Sequence, residues 1–219
     1  MNEPILDKHL HYVLEQNAKL NLTAIRDFVS ARLLHLEDSL SALPEVNEAP
    51  GGALCDIGSG AGFPGIPLAV MARRKTVLVE ASRKKAAVLQ KFLEQEDLAK
   101  QITVINQRVE EFSKVLSKAD SFSVVTARAL SNLSSLLELA SPLLSMGGVF
   151  VAYKGKHCLS EVNDAKNILD ILGFKFKSKR EFFLSDNVTS RVVLSYEKVR
   201  EARIKLPRRN GQAQKHPLK

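Results

Sequence analysis

The chain has 219 residues, of which 45% are hydrophobic and 26% charged, and its net charge is +8. This composition excludes a wholly disordered chain and suits one globular domain with an appendage, because domains usually hold about 100 to 200 residues. Cys55 and Cys158 are the two cysteines, too few for a disulfide framework or a multi-cysteine metal site, so no metal is expected. No apolar run approaches the ~20 residues of a membrane helix, and the first residues are not those of a signal peptide. We therefore expect a cytoplasmic protein that does not contact a membrane.

The positive charge is concentrated at the C-terminal end. Residues 198–219 contain eight basic residues against one acidic residue, Glu201, so this end carries +7 of the net +8. Such an arm can bind the phosphates of a nucleic acid, since each neutralised phosphate releases counterions. A solvated terminus is the alternative. Taken alone, the tail indicates only an anionic partner.

Two helices are predicted at the start of the chain, over residues 2–17 and 27–43, where apolar side chains recur at helical spacing. Residues 44–52 contain two prolines and two glycines, which is typical of a surface connection. We place the end of an N-terminal helical extension, residues 1–48, within it.

Short apolar runs then alternate with amphipathic stretches. Strands are predicted at residues 53–57, 76–80, 102–105, 122–126 and 148–153, with helices at 81–97, 131–144 and 159–172. Two further strands, 174–184 and 191–197, follow without a helix between them, which indicates an antiparallel hairpin. This order predicts an α/β protein with a seven-stranded, mostly parallel sheet, as in the Rossmann-like class I methyltransferase fold, over residues 49–198. Residues 199–219 form the basic tail.

A glycine-rich turn follows the first strand. Gly58, Gly60, Gly62 and Gly65 lie within eight residues, and a turn without side chains lets the backbone approach a ligand at the carboxyl end of a strand. The last three of these glycines also match the G-x-G-x-x-G pattern of dinucleotide-binding proteins. A tight turn without a ligand is the remaining alternative.

Two features favour S-adenosylmethionine over a dinucleotide. Asp56 comes two residues before the first glycine, where a carboxylate can face an ammonium group, which a dinucleotide lacks. Pro64 removes a backbone N–H that a pyrophosphate would use. Glu80 lies 22 residues after Gly58, at the end of the second strand, where a carboxylate accepts hydrogen bonds from ribose hydroxyls. Both cofactors need that contact, so Glu80 indicates adenosine without choosing between them.

The order of several short motifs resembles the RsmG (GidB) family of 16S rRNA methyltransferases. The motifs are Asn21-Leu22-Thr23, His35-x-x-Asp38-Ser39-Leu40, the run from Asp56 to Leu68, Arg108-Val109-Glu110-Glu111-Phe112, Ala127-Arg128-Ala129, Lys154-Gly155 and the basic ending around Arg208-Arg209. The resemblance implies methyl transfer from S-adenosylmethionine to nitrogen 7 of a guanine in the 530 loop of 16S rRNA, position 527 of that RNA. The family usually has an arginine before the motif histidine, whereas this chain has Leu34.

The resemblance also assigns roles to residues. The expected cofactor-binding residues, with those named above, are Asp56, Gly58, Gly60, Gly62, Phe63, Glu80, Val109, Glu110 and Arg128. Arg128 and Lys154 are expected to position the substrate, and no residue is expected to act as base or nucleophile, because nitrogen 7 attacks through its own lone pair and loses no proton. For His35 and Asp38 a structural role is favoured over a catalytic one.

The expected partner is 16S rRNA or the small ribosomal subunit, bound by a monomer. The expected RNA-binding residues are Lys154, Lys156, Arg203, Lys205, Arg208, Arg209 and Lys215. Removing residues 198–219 is then expected to weaken RNA binding and to leave cofactor binding intact. A noncatalytic RNA-binding protein that retains the cofactor fold, and a nucleotide-dependent oxidoreductase, are the alternatives.

Overall fold

One sheet of seven strands organises the computed structural model, which describes residues 3–219. In chain order the strands are β1 (Leu54–Ile57), β2 (Thr76–Val79), β3 (Ile102–Ile105), β4 (Phe122–Arg128), β5 (Leu144–Gly155), β6 (Phe174–Phe183) and β7 (Ser190–Lys198). Their spatial order is β3-β2-β1-β4-β5-β7-β6. Strands β1 to β5 pair in parallel, and β7 pairs antiparallel with both β5 and β6. The predicted fold, with its terminal hairpin, is confirmed.

Helices cover both faces of this sheet. They are α1 (Glu3–Leu20), α2 (Phe28–Ala31), α3 (Asp38–Leu40), α4 (Leu43–Glu48), α5 (Gly65–Ala72), α6 (Arg83–Gln95), α7 (Val109–Val115), α8 (Leu133–Ala140), α9 (Leu159–Leu172) and α10 (Gln212–Lys215). All four residues of β1 are buried, as expected for a parallel strand covered on both faces. Within residues 3–219, none of the helices is long and apolar enough to cross a bilayer.

The second predicted helix, over residues 27–43, is divided. Helix α2 continues into a π-helical segment, Arg32–Glu37, and then into α3. Wide turns of this kind occur frequently at functional sites. Here the irregular segment carries His35, and Asp38 follows it directly.

The prediction of a surface connection over residues 44–52 is wrong for its first half, which forms α4. Pro44 lies in the first turn of α4, where a missing backbone N–H costs nothing. Val46 is fully buried. The guanidinium of Arg74 donates to the carbonyl oxygens of Val46 and Ala49, at 2.9 and 3.0 Å, and to those of Pro50 and Gly52, at 2.7 and 3.1 Å. A distant arginine therefore satisfies the backbone of this segment.

Strand β5 and helix α8 differ in length from their predictions. Helix α8 begins after Asn132, whose Oδ1 accepts a hydrogen bond from the Ser135 N–H at 2.9 Å, as an N-cap side chain does. Strand β5 extends to Gly155 because it pairs with both β4 and β7. That extension places Tyr153 and Lys154 at the carboxyl edge of the sheet, beside the end of β4.

Candidate functional site

The glycine turn follows β1 and leads into α5. Gly58 and Gly62 have φ values of +71° and +95°, a backbone conformation that favours glycine. A Cβ atom on Gly58 would lie 2.7 Å from Leu130 Cδ1. A side chain at this position is therefore excluded both by the backbone and by the loop that follows β4.

Glu80 joins this turn to the end of β2. The parallel pairing of β1 with β2 sets Ile57 beside Val79, so residues 22 positions apart in sequence become neighbours. The Glu80 carboxylate accepts hydrogen bonds from the Gly60 N–H at 2.9 Å and from the Ser82 N–H at 2.7 Å. Each oxygen keeps one free lone pair. The carboxylate can therefore still accept hydrogen bonds from a ligand.

A cavity of about 270 Å³ opens at the carboxyl ends of β1, β2 and β3. Its lining includes Gly58, Gly60, Glu80, Val109 and Glu110, five residues expected to bind the cofactor. In open α/β sheets this edge is the usual place for a ligand. We refer to this space as the cofactor cavity.

A second cavity, of about 460 Å³, lies at the carboxyl ends of β4 and β5. Its lining includes His35, Asp38, Arg128, Lys154 and Arg191. We refer to it as the acceptor cavity. The N-terminal extension therefore supplies part of its wall.

Asp38 organises the charges of the acceptor cavity. Its Oδ2 accepts from Arg128 Nη1 at 2.9 Å, and its Oδ1 accepts from Arg191 Nε at 3.0 Å. The Asp38 side chain is 6% exposed. Because a buried carboxylate is costly unless it is paired, the two arginines and Asp38 form one structural unit.

His35 is held in a neutral form beside this unit. The Thr23 Oγ1 atom lies 2.9 Å from His35 Nε2 and accepts a hydrogen bond from the Ile25 N–H at 3.2 Å. Burial, together with the positive charge of Arg128, lowers the pKa of His35 to about 4. At neutral pH the imidazole therefore adds no charge to the acceptor cavity. This contact also gives the Asn21-Leu22-Thr23 motif a structural role.

Ala129 lines both cavities. It follows β4 directly and has a φ of +53°, an uncommon conformation for a residue with a side chain. The two cavities therefore meet at the β4 end, where a group can pass from a ligand in one to a ligand in the other.

Comparison with known proteins agrees with this arrangement. The family model described as GidB, rRNA small subunit methyltransferase G, matches residues 2–183. The ribosomal RNA small subunit methyltransferase G of Lysinibacillus sphaericus is 35% identical over 96% of this chain and 89% of its own length. The ribosomal RNA small subunit methyltransferase G of an Exiguobacterium species is 36% identical over 96% of this chain and 89% of its own length.

The chain belongs to the GidB family. Solved structures show the same fold at lower identity. The O-methyltransferase of Bacillus cereus in complex with SAH has a TM-score of 0.60 and 16% identity, over 87% of this chain and 91% of that chain. A glycopeptide N-methyltransferase has a TM-score of 0.59 and 13% identity, over 77% and 98%.

Four of the residues expected to bind the cofactor of a GidB protein lie outside the cofactor cavity: Asp56, Gly62, Phe63 and Arg128. The Asp56 side chain is buried beneath the glycine turn, where it accepts hydrogen bonds from Thr126 Oγ1 at 2.8 Å and from the Gly65 N–H at 3.2 Å. Burial raises the pKa of Asp56 to about 6. Asp56 therefore supports the turn from within, and its carboxylate does not face the cavity as we expected.

Phe63 packs between two histidines of the N-terminal extension, stacked on His35 and tilted by 32° from His9. Its ring centroid lies 4.8 Å from that of His35 and 4.5 Å from that of His9. His9 Nε2 also lies 2.9 Å from the carbonyl oxygen of Ala61. Sequence reasoning missed His9, whose only signal was its place beside Leu10 in an amphipathic helix.

Lys154 faces inward. Its Nζ donates to the Ser131 carbonyl at 2.9 Å and to Glu161 Oε2 at 2.7 Å, and Glu161 Oε2 also accepts from the Leu133 N–H at 2.7 Å. The side chain of Lys154 is 9% exposed. This lysine therefore fastens the loop after β4 to α9, while Lys156 two residues on is exposed.

The basic tail returns to the domain. Arg208 Nε donates to Glu138 Oε1 at 2.7 Å, and the Glu138 side chain is 2% exposed. Lys205, Arg209 and Lys215 are exposed, and Arg203 pairs at the surface with Asp170. The expected RNA-binding residues of the tail thus divide into Arg208, which is committed to an internal ion pair, and the others, which lie at the surface. No group of His, Cys, Asp or Glu within residues 3–219 is arranged to hold a metal ion.

Proposed function

We propose that this protein transfers a methyl group from S-adenosylmethionine to nitrogen 7 of a guanine in the 530 loop of small-subunit rRNA. The observation that carries the proposal is the meeting of two cavities at Ala129. One is lined by the glycine turn and Glu80, and the other by paired cations and a neutral histidine.

The residues of the cofactor cavity fit S-adenosylmethionine. A Cβ atom on Gly60 would approach only the Gly58 carbonyl oxygen, at 3.9 Å, so the backbone there is open to a ligand, and the Glu80 carboxylate can accept from two ribose hydroxyls. S-adenosylmethionine supplies a methyl group bonded to a positively charged sulfur. If Glu80 held the ribose and the methyl group pointed toward Ala129, Val109 would contact adenine from the β3 side.

The acceptor cavity suits a nucleophile that needs no base. Burial and the charge of Arg128 lower the pKa of His35 to about 4, so at neutral pH this histidine is a weak base. Nitrogen 7 of guanine attacks through an in-plane lone pair and becomes positively charged. Asp38 lies between Arg128 and Arg191 and reduces the repulsion that their charges would exert. Rate then comes from alignment, which can contribute about 7 to 11 kcal/mol in favourable systems.

RNA binding belongs to the exposed cations. The side chains available to the phosphate backbone are exposed: Lys156, Lys205, Arg209, Lys215 and Arg203, whose pair with Asp170 lies at the surface. Arg128, Lys154 and Arg208 are instead held by less exposed carboxylates. The latter three act by shaping the cavities. We infer that the partner is folded small-subunit rRNA, since phosphates presented by a folded RNA can meet cations spread over several elements.

The test incubates the protein with methyl-labelled S-adenosylmethionine and 30S subunits that lack the modification. Label is then mapped by cleavage chemistry specific for 7-methylguanine, with naked 16S rRNA as a parallel substrate. Label at one guanine of the 530 loop supports donor, acceptor and atom together. No label on either RNA, in a sample that binds S-adenosylhomocysteine, would mean that the acceptor is wrong.

The same sample separates the two alternative functions. An oxidoreductase predicts binding of NAD in competition with S-adenosylhomocysteine. A noncatalytic RNA-binding protein predicts equal RNA affinity with and without S-adenosylmethionine, and no label.

A further inference from the structure

The C-terminal residues 208–215, which we call the C-terminal strap, lie against the start of α7, the helix that follows β3. The backbone N–H of Gly211 donates to Glu110 Oε1 at 2.6 Å, and Asn210 Nδ2 donates to Glu111 Oε1 at 2.7 Å. Both carboxylates belong to the first turn of α7. The strap is thus attached at the start of the helix that lines the β3 side of the cofactor cavity.

A second attachment comes from α8. Ser135 Oγ donates to the Ala213 carbonyl at 2.7 Å, and Ala213 is 2% exposed within the main core. Arg208 holds the beginning of the strap through Glu138, also on α8. The strap is therefore fixed at three places along its length.

The residue after Ala213 reaches the cofactor cavity. Gln214 is part of that cavity's lining and is exposed, whereas its neighbour Ala213 is buried. The Gln214 side chain forms no hydrogen bond with another residue among 3–219. An amide with free donors and an acceptor stands at this wall.

Glu110 lines the cofactor cavity and also binds the strap. The resemblance predicts that it lies beside adenine, and its buried carboxylate accepts the Gly211 N–H. Gly211 is itself buried, so loss of the carboxylate leaves a buried donor without a partner, which is costly. The contact that Glu110 makes with its side chain is with the strap.

We propose that the C-terminal strap is a wall of the adenosine subsite and that Glu110 is the positioning residue that holds it there. The inference rests on the proposed use of S-adenosylmethionine. It means that the segment carrying the exposed cations Arg209 and Lys215 also shapes the cofactor site. Removing residues 198–219 then weakens cofactor binding, contrary to the expectation from sequence.

The test measures binding of S-adenosylhomocysteine and of adenosine by calorimetry in full-length variants. Glu110→Ala is expected to weaken the binding of both ligands by the same factor, about tenfold, since the strap contacts the adenosine that they share. Glu110→Gln keeps an acceptor for the Gly211 N–H and is expected to stay within about threefold of the wild type. Glu94→Ala is the matched control, because Glu94 is exposed on α6 and bonds only Gln90.

Ser135→Ala tests the strap from its other attachment, without altering a residue of the cavity. It removes the bond to the Ala213 carbonyl and is expected to weaken adenosine binding as well. Exchange of the Gly211 amide hydrogen is expected to slow when S-adenosylhomocysteine binds, and to be fast in Glu110→Ala. A folded protein of unchanged circular dichroism separates these effects from general unfolding.

Unchanged affinity for adenosine in both Glu110→Ala and Ser135→Ala would overturn the inference while leaving the proposed function intact. The inference would also be overturned if the substitutions weakened the binding of S-adenosylhomocysteine and left the binding of adenosine unchanged. A wild-type protein that binds neither ligand would overturn the proposed function, and the inference with it.

Discussion

His9 Nε2 donates a hydrogen bond to the carbonyl oxygen of Ala61, over 2.9 Å, and so joins the first helix to the glycine turn. A carbonyl can only accept, so Nε2 carries the proton and Nδ1, which is buried without a hydrogen-bond partner among residues 3–219, does not. A second proton would be buried with no acceptor. Burial accordingly lowers the pKa of His9 to about 3. The N-terminal extension therefore supports the cofactor site through a histidine that stays neutral.

This neutral histidine makes stability depend on pH. The unfolded chain takes up a proton near pH 6.5 and the folded chain only near pH 3, so the unfolded state binds more protons between these values and stability falls as pH falls. At pH 5 the protonation of His9 in the unfolded chain lowers the free energy of unfolding by about 2 kcal/mol. His9→Gln keeps a donor for the Ala61 carbonyl. Between pH 7 and pH 5 we expect its free energy of unfolding to fall by about 2 kcal/mol less than that of the wild type.

Urea unfolding at the two pH values measures the difference. His35 also has a lowered pKa and titrates in both proteins, so the comparison between variant and wild type isolates His9. An equal loss of stability in the two proteins would contradict a neutral His9.

Arg128 is expected to be needed for methyl transfer and not for cofactor binding. It lines the acceptor cavity and not the cofactor cavity. Arg128→Ala leaves Asp38 with Arg191 alone, which should cost about 3 kcal/mol of stability because Asp38 is buried. We expect methyl transfer to be lost while the affinity for S-adenosylhomocysteine stays within about threefold.

Calorimetry and a methylation assay on the same preparation test this division. Arg128→Lys, which keeps a charge near Asp38, is the control and should retain more of the stability. A large loss of cofactor affinity in Arg128→Ala would return Arg128 to the cofactor site.

Arg74 anchors the segment that leads into β1. Its guanidinium donates to four carbonyls of that segment and to Ser123 Oγ at 3.0 Å. Arg74→Met keeps most of the volume but leaves these acceptors without their donor, so we expect a loss of about 3 kcal/mol. For a chain of this size the Tm should fall by roughly 10 °C.

Differential scanning calorimetry gives that value, with Lys75→Ala as the neighbouring control. Lys75 is exposed, and its replacement should change stability by less than about 0.5 kcal/mol. Equal effects of the two substitutions would mean that the Arg74 hydrogen bonds contribute little.

Two adjacent arginines in the tail should behave differently. Arg209 is exposed, so Arg209→Ala should leave stability unchanged and reduce the slope of log K against log salt for RNA by about one. Arg208→Ala leaves the buried Glu138 without its partner and should cost about 3 kcal/mol. Filter binding over a salt series, and urea unfolding, measure the two quantities. If both substitutions reduced the salt dependence of RNA binding and neither changed stability, Arg208 would have to release Glu138 when RNA binds.

Local pattern was enough for the elements of the fold and for half of the cofactor site. The strands follow from apolar periodicity and the mostly parallel sheet from their alternation with helices, and Gly58 and Glu80 lie together because β1 and β2 are adjacent parallel strands. The contacts of individual side chains were harder to predict from the sequence. Asp56 stands where a ligand-facing acid is expected, yet in a fully buried strand its carboxylate turns toward Thr126 and the start of α5.

The amino-acid sequence by itself predicted the class of protein through the order of its motifs, and it predicted the carboxyl edge of the site and the acid expected to bind adenosine through their spacing along the chain. Only the tertiary structure decided the partners of the long charged side chains. Arg74, Arg128, Lys154 and Arg208 each contact residues that are distant in sequence or on another element. Charge is a property of the residue, but its compensation depends on which carboxylates and carbonyls the fold brings within hydrogen-bond distance. A tail that is basic in composition can therefore fold back on the domain and contribute a residue, Gln214, to the wall of a cavity.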